Sequence, residues 1–184
     1  MTKRDARNRA KTLRAGLNMK AIGSQMAQTL FALPQWQKAE VLLGYVSLPD
    51  EPDTLPLLQR TLQEGKRLLL PRVTGPHTMD WVEISHLELL QRGAYGIWEP
   101  PAGLPSVQPY TAPNALALVP CLAASCDGVR LGRGGGYYDR FLEQYKGERL
   151  LLCPSALVWL DVPNDDWDIR FAPEEILTEK GILI

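Results

Sequence analysis

A chain of 184 residues with 45% hydrophobic and 22% charged residues is long and apolar enough to bury a sizeable core, which excludes disorder as its resting condition. Residues 1–184 are accordingly read as one domain. The net charge of −1 argues against a general nucleic-acid binder, and no apolar run approaches the roughly 18 residues of a membrane span.

Thr2 and Asp5 form a capping-box pattern that predicts a helix from Lys3. Lys3, Arg7, Lys11 and Arg14 then share one face at i, i+4, i+8 and i+11. A solvated basic face, an RNA-binding arm and a stripe that closes over nucleotide phosphates all fit this spacing. A second helix is predicted over 19–30, with Asn18 as its cap and Pro34 beyond its end, although Gly23 counts against it. The β-rich run 41–46 reads as the first strand. Asp53 or Thr54 caps a helix that runs to Glu64 and stops at Gly65. The next strand, 68–70, is ended by Pro71.

Sites in open α/β sheets lie beyond the carboxyl ends of strands, and the loop after Val46 is such a place. Glu51 in that loop is either a solvated carboxylate or an acceptor for a ligand. Residues 79–84 alternate as a strand does. In 93–100, Tyr95 either packs over the core or stacks on a flat ring. The proline-rich stretch 100–113 is read as an extended surface loop. Runs 115–119, 150–153, 157–160 and 176–178 complete the strands, with an acidic loop at 162–168. Strands alternating with helices predict an α/β fold: a three-layer sandwich with a mainly parallel, Rossmann-like sheet and helices on both faces. The amino terminus is charged and no apolar stretch follows it, so no secretory signal is read and a cytoplasmic location is expected. Cys121, Cys126 and Cys153 match neither a disulfide framework nor a zinc spacing and are read as buried small hydrophobes. His77 and His86 fit no metal-ligand spacing.

Residues 129–140, Val-Arg-Leu-Gly-Arg-Gly-Gly-Gly-Tyr-Tyr-Asp-Arg, hold four glycines and three arginines. Tyr138, Phe141, Leu142 and Tyr145 recur at helical spacing, so a helix begins near Gly136 or Tyr137. The order is strand, loop, glycine turn, helix. Glycines let a ligand approach the backbone, and the unpaired N–H groups of a first helical turn suit a phosphate. Arg130 and Arg133 add planar, permanently charged donors. No Gly-Lys-Ser/Thr closes the stretch as in a P-loop, and Tyr137 stands where a dinucleotide fingerprint needs its last glycine. An anion site is the preferred reading over a flexible surface turn.

Arg130-Leu131-Gly132-x-Gly134-x-Gly136-Tyr137-Tyr138-Asp139 resembles the signature of the 5-formyltetrahydrofolate cyclo-ligase (5,10-methenyltetrahydrofolate synthetase) family. Three further stretches are similar to it: Lys3-x-x-x-Arg7, Glu51-Pro52-Asp53-Thr54 and Gly93-x-x-Gly96-Ile97-x-Glu99-Pro100. The resemblance implies an enzyme that closes 5-formyltetrahydrofolate into 5,10-methenyltetrahydrofolate with ATP and Mg²⁺, acting as a monomer without nucleic-acid or membrane partners. It assigns Lys3, Arg7, Arg130, Leu131, Gly132, Arg133, Gly134, Gly135, Gly136, Tyr137 and Tyr138 to ATP. Glu51, Tyr95, Arg133, Gly134, Gly135, Gly136 and Tyr137 fall to the folate. Catalytic roles go to Arg133 and Tyr137, and the metal to Asp139 and Asp168, with Asp165 and Asp166 as near rivals of the latter. The chain departs from the family pattern at Cys121, Ala124, Ser125 and Leu157, and the departures at Ser125 and Leu157 motivate a non-catalytic nucleotide- or folate-binding regulator as the alternative.

Overall fold

The computed structural model describes residues 1–166 and 168–183, and the side chains of these except Ala94 and Thr111. Five α-helices occur among them: α1 (Lys3–Ala15), α2 (Met19–Ala32), α3 (Pro34–Lys38), α4 (Leu55–Gln63) and α5 (Tyr137–Gln144). The strands are β1 (Val41–Leu43), β2 (Arg67–Gly75), β3 (Thr78–Ile84), β4 (Gln91–Arg92), β5 (Trp98–Glu99), β6 (Ser106–Val107), β7 (Ala115–Pro120), β8 (Ala123–Ser125), β9 (Arg130–Leu131), β10 (Glu148–Leu152), β11 (Val158–Trp159), β12 (Ile176–Thr178) and β13 (Gly181–Ile182). Eight form the central sheet in the order β13-β12-β10-β7-β1-β2-β3-β6. Its middle, from β12 to β2, is parallel, and antiparallel strands finish both ends. Strand β11 pairs instead with β8, whose other edge pairs with β9, in a small separate sheet, and β4 pairs with β5.

Strand β7 shows how the layers arise. Ala115, Ala117 and Val119 face a cluster that includes Ala6 and Ala10 of α1 and Phe141 and Leu142 of α5. Leu116 and Leu118 face the opposite cluster, with Met26 and Leu30 of α2, Trp36 of α3 and Leu57 and Leu58 of α4. A strand covered on both faces carries an unbroken apolar run, because the period of two now has no solvent side.

The predicted caps hold for the first two helices: Thr2 and Asp5 form the capping box, and the Asn18 side chain accepts from the Ala21 N–H. Thr54 does not cap α4 with its side chain. Its hydroxyl donates to the Tyr45 carbonyl at 2.7 Å and accepts from the Ser47 N–H at 3.0 Å, while Asp53 accepts from the Leu55 N–H. These bonds replace ladder bonds, so β1 stops at Leu43 and not at Val46. Pro71 does not end its strand either. Gly44 N–H donates to the Leu69 carbonyl, so odd-numbered residues of β2 turn their polar groups toward β1. Pro71 is therefore aimed past the end of that short strand, where no N–H is required, and pairing with β3 continues to Gly75. Cys121 and Cys153 are buried as expected, but Cys126 is exposed in the turn after β8.

Gly23 has a packing reason. A Cβ there would lie 2.3 Å from the Asp53 carbonyl oxygen and 2.4 Å from the Asp53 nitrogen, where the Asp53 N–H donates to the Met19 carbonyl at 3.1 Å. Gly23→Ala is expected to lose about 1–3 kcal/mol of stability through overpacking, despite the better helix propensity of Ala. Urea unfolding of both proteins measures this, and a variant as stable as wild type would show that the α2–loop contact gives way freely.

Candidate active site

The glycine turn joins β9 to α5 at the carboxyl edge of the parallel strands. Gly134 and Gly136 have φ of 98° and 70°, backbone that side-chain-bearing residues seldom adopt. Gly136 is the N-cap of α5 and supplies no capping side chain. Neighbours hold the turn's shape. Arg7 Nε donates to the Gly132 carbonyl at 3.0 Å, and His77 Nδ1 lies 2.6 Å from the Gly135 carbonyl. Arg130 Nε donates to the Pro120 carbonyl at 2.8 Å, its Nη1 meets Asp139 Oδ1 at 3.0 Å, and its guanidinium lies over the Tyr138 ring.

Two clefts open on this turn. The first, about 340 Å³, is basic and is lined by Lys3, Arg7, Arg130, Leu131, Gly132, Gly134, Gly136, Asp139, Arg140, Glu143 and Asp168. The second, about 220 Å³, has mostly apolar walls: Tyr45, Val46, Leu48, Leu70, Pro71, Val73, Met79, Tyr95, Ile97, Trp98, Pro120, Cys121, Tyr137 and Tyr138, with Glu51, Glu99, Arg130, Arg133 and Asp139 as its charged groups. Gly132, Gly134 and Gly136 belong to both, so the turn is a shared wall.

Arg133 reaches across the apolar cleft. Its Nε donates to Glu51 Oε1 at 3.0 Å and its Nη2 to Asp50 Oδ1 at 2.6 Å. Glu51 is only 6% exposed, and its second oxygen accepts from the Leu48 N–H at 2.9 Å. Burial works against the Arg133 charge, but the Glu51 and Asp50 carboxylates outweigh it and push the pKa up. Tyr95 is 78% exposed at φ 60°, and a hydrogen bond with its hydroxyl pushes the Tyr137 phenol up. Burial does the same to Tyr138.

In the basic cleft, Lys3 Nζ lies 2.7 Å from Asp165 Oδ2 and 2.5 Å from Asp168 Oδ2. Burial lowers the Lys3 pKa and the two carboxylates more than restore it, leaving it raised. Of the acidic-loop aspartates, Asp168 lines the cleft with Asp139, whereas Asp165 and Asp166 do not. Among the described residues no group of three or more His, Cys, Asp or Glu side chains converges as a metal cage.

The residues read for a phosphate ligand thus divide. Lys3, Arg7, Arg130, Leu131, Gly132, Gly134 and Gly136 line the basic cleft, while Arg133, Gly135, Tyr137 and Tyr138 line only the apolar one. The set read for a flat ring, Glu51, Tyr95, Arg133, Gly134, Gly135, Gly136 and Tyr137, falls together in the apolar cleft. Sequence reasoning missed Tyr45, Met79, Trp98, Arg140 and Glu143. Helical spacing from Gly136 and Asp139 was a usable signal for Arg140 and Glu143, which lie on α5; Tyr45, Met79 and Trp98 come from distant segments and had none. Ser125 and Leu157, which depart from the family pattern, line neither cleft. The Ser125 hydroxyl accepts from the Val129 N–H at 2.9 Å and bonds Asp127, and Leu157 is core.

A mainly parallel sheet that sets an apolar cleft and a basic cleft against one glycine turn defines the class of this protein, an α/β fold with its clefts at the carboxyl edge of the sheet. The chain belongs to the 5-formyltetrahydrofolate cyclo-ligase family, whose model matches residues 2–179. It is thus a ligase of folate one-carbon chemistry. It is 29% identical over 164 residues to a probable 5-formyltetrahydrofolate cyclo-ligase of Schizosaccharomyces pombe, covering 79% of this chain and 80% of that one. It is also 29% identical over 154 residues to the 5-formyltetrahydrofolate cyclo-ligase of Escherichia coli, covering 80% and 84%. The NMR structure of Aquifex aeolicus 5,10-methenyltetrahydrofolate synthetase superposes with a TM-score of 0.85 at 31% identity, over 99% of this chain and 92% of that one. Among the described residues no helix is long and apolar enough to cross a membrane.

Proposed function

We propose that the two clefts hold the two substrates of an ATP-dependent cyclisation, in which 5-formyltetrahydrofolate becomes 5,10-methenyltetrahydrofolate with release of ADP and phosphate. The observation that carries this reading is the shared glycine wall. It brings the end of a polyphosphate in the basic cleft against a bicyclic ring in the apolar one. The γ-phosphoryl group passes to the formyl oxygen, which turns a poor leaving group into a good one. The N10 nitrogen of the folate then attacks the formyl carbon and gives up its proton, and the C–O bond breaks as phosphate leaves. The nucleophile belongs to the substrate, so the chain needs no Ser-His-Asp triad.

Phosphoryl transfer needs positioning and charge neutralisation more than covalent help from protein. Lys3, Arg7, Arg130 and the turn amides hold the phosphates. Arg133 and Tyr137 lie on the folate side of the wall and face the transferring group. Glu51 and Tyr95 hold the folate, and the apolar walls keep water from the activated formyl group. Asp139 and Asp168, which line the basic cleft together, would hold Mg²⁺ through their hard carboxylate oxygens. When bound, Mg²⁺ neutralises phosphate charge. Residues 1–184 are taken as one domain acting as a monomer in the cytoplasm, without nucleic-acid or membrane partners; two cores flanking one sheet support the single domain.

Incubation with 5-formyltetrahydrofolate and Mg-ATP tests the reading. Growth of the conjugated methenyl absorbance with stoichiometric ADP is expected; ligand binding with neither product would favour the non-catalytic regulator. The amino-terminal helix has its own test. Changing Lys3 and Arg7 together to Ala is expected to raise the KM for ATP by about tenfold or more, since each charged hydrogen bond is worth about 1.5–3 kcal/mol. Unchanged ATP kinetics with lost RNA affinity would instead favour the RNA-binding arm.

A further inference from the structure

Arg14 shares the helix face of Lys3, Arg7 and Lys11 but has a different environment. It is 2% exposed. Its Nη1 donates to the Asp50 carbonyl at 2.9 Å and its Nη2 to the Cys121 carbonyl at 2.7 Å. Both acceptors are main-chain groups, so neither brings a formal negative charge, and Arg14 Nε is buried without a partner among the described residues. Burying a cation in this way is costly, and a neutral side chain of similar size would cost less. A guanidinium, however, has a rigid planar fork that can hold two acceptors on different segments at once.

Both segments border the apolar cleft, which Glu51, Pro120 and Cys121 line. Asp50 precedes Glu51, and both carboxylates receive Arg133. Cys121 follows Pro120, whose carbonyl receives Arg130. Arg14 itself lines neither cleft. We infer that Arg14 is a positioning residue for the folate cleft: it ties the Glu51 loop to the end of β7 and thereby sets where Glu51 and Arg133 meet the substrate. The inference rests on the proposed function, because it assigns the apolar cleft to the folate.

The test is steady-state kinetics of Arg14→Met, Arg14→Lys, Glu51→Gln and the two double variants beside wild type. Arg14→Met is expected to raise the KM for 5-formyltetrahydrofolate about tenfold or more and to leave the KM for ATP within about twofold. Arg14→Lys keeps the charge but reaches only one carbonyl, and is expected to lie between. If Arg14 acts through Glu51, each double variant binds folate about as well as Glu51→Gln alone. Equal losses for both substrates, or losses that multiply in the double variants, would overturn the inference. Should Arg14→Met fail to fold, Arg14→Lys carries the same comparison. Wild type that does not turn over 5-formyltetrahydrofolate would sink the proposed function; wild type that does, beside unaffected variants, would sink only the role of Arg14.

Discussion

Asp139→Asn is expected to fold normally, to need much more Mg²⁺ for activity, and to turn over slowly even when ATP is saturating. Two bland roles compete with the metal role. Asp139 lies in the first turn of α5, where a carboxylate complements the helix dipole by about 0.3–1 kcal/mol. It also pairs with Arg130 across 3.0 Å, where Asp139 is half exposed although Arg130 is buried, and Asn keeps an oxygen that can accept from that guanidinium. Arg130 keeps its bond to the Pro120 carbonyl in the variant. Both roles therefore predict a small loss of stability and intact catalysis. A metal ligand behaves differently, because Asn keeps the shape and one oxygen but loses the charge that holds a hard dication. Asp168→Asn is expected to show the same pattern more weakly, since Asp168 shares the basic cleft and Lys3 already offsets its charge. Initial rates titrated with Mg²⁺ decide: a wild-type Mg²⁺ dependence in Asp139→Asn would leave the residue as a helix and Arg130 partner.

Arg133→Ala is expected to lower turnover by about 10²–10³-fold, the usual cost of removing one preorganised donor from a site where charge develops. Arg133→Lys is not expected to restore it, because a single ammonium cannot reproduce a fork that meets Asp50 and Glu51 together. Stability falls little, since the Arg133 side chain is 37% exposed and Glu51 retains the Leu48 N–H. Glu51 does lose its counter-charge, so folate affinity is expected to fall further than ATP affinity. Rates, both KM values and thermal unfolding of the two variants check this. Losses that track unfolding, or an ATP KM that rises more than the folate KM, would remove Arg133 from the folate side.

Much of this molecule is written in short-range signals. The capping box of α1, the Asn18 cap of α2, the apolar run of β7 and the start of α5 after Gly136 were legible because each depends on residues a few positions apart. The glycine motif was equally legible, since positive φ at Gly134 and Gly136 is a local demand. Strand ends were less so. Whether Pro71 terminates a strand depends on the length of its neighbour β1, which the sequence around Pro71 does not contain.

The sequence by itself determined the fold class and the position of the glycine turn, because periodicity, capping and glycine spacing are properties of contiguous residues, and its motifs carried the resemblance to the family. Only the tertiary structure decided that this turn divides two clefts, that Arg133 pairs with Asp50 and Glu51, and that Tyr45, Met79 and Trp98 join one wall. It also separated Arg14 from Lys3, Arg7 and Lys11. All four have the same charge and the same helical face, but burial is set by what the helix docks against. Near Arg14 that is the loop at Asp50 and the end of β7 at Cys121, which lie 36 and 107 residues away.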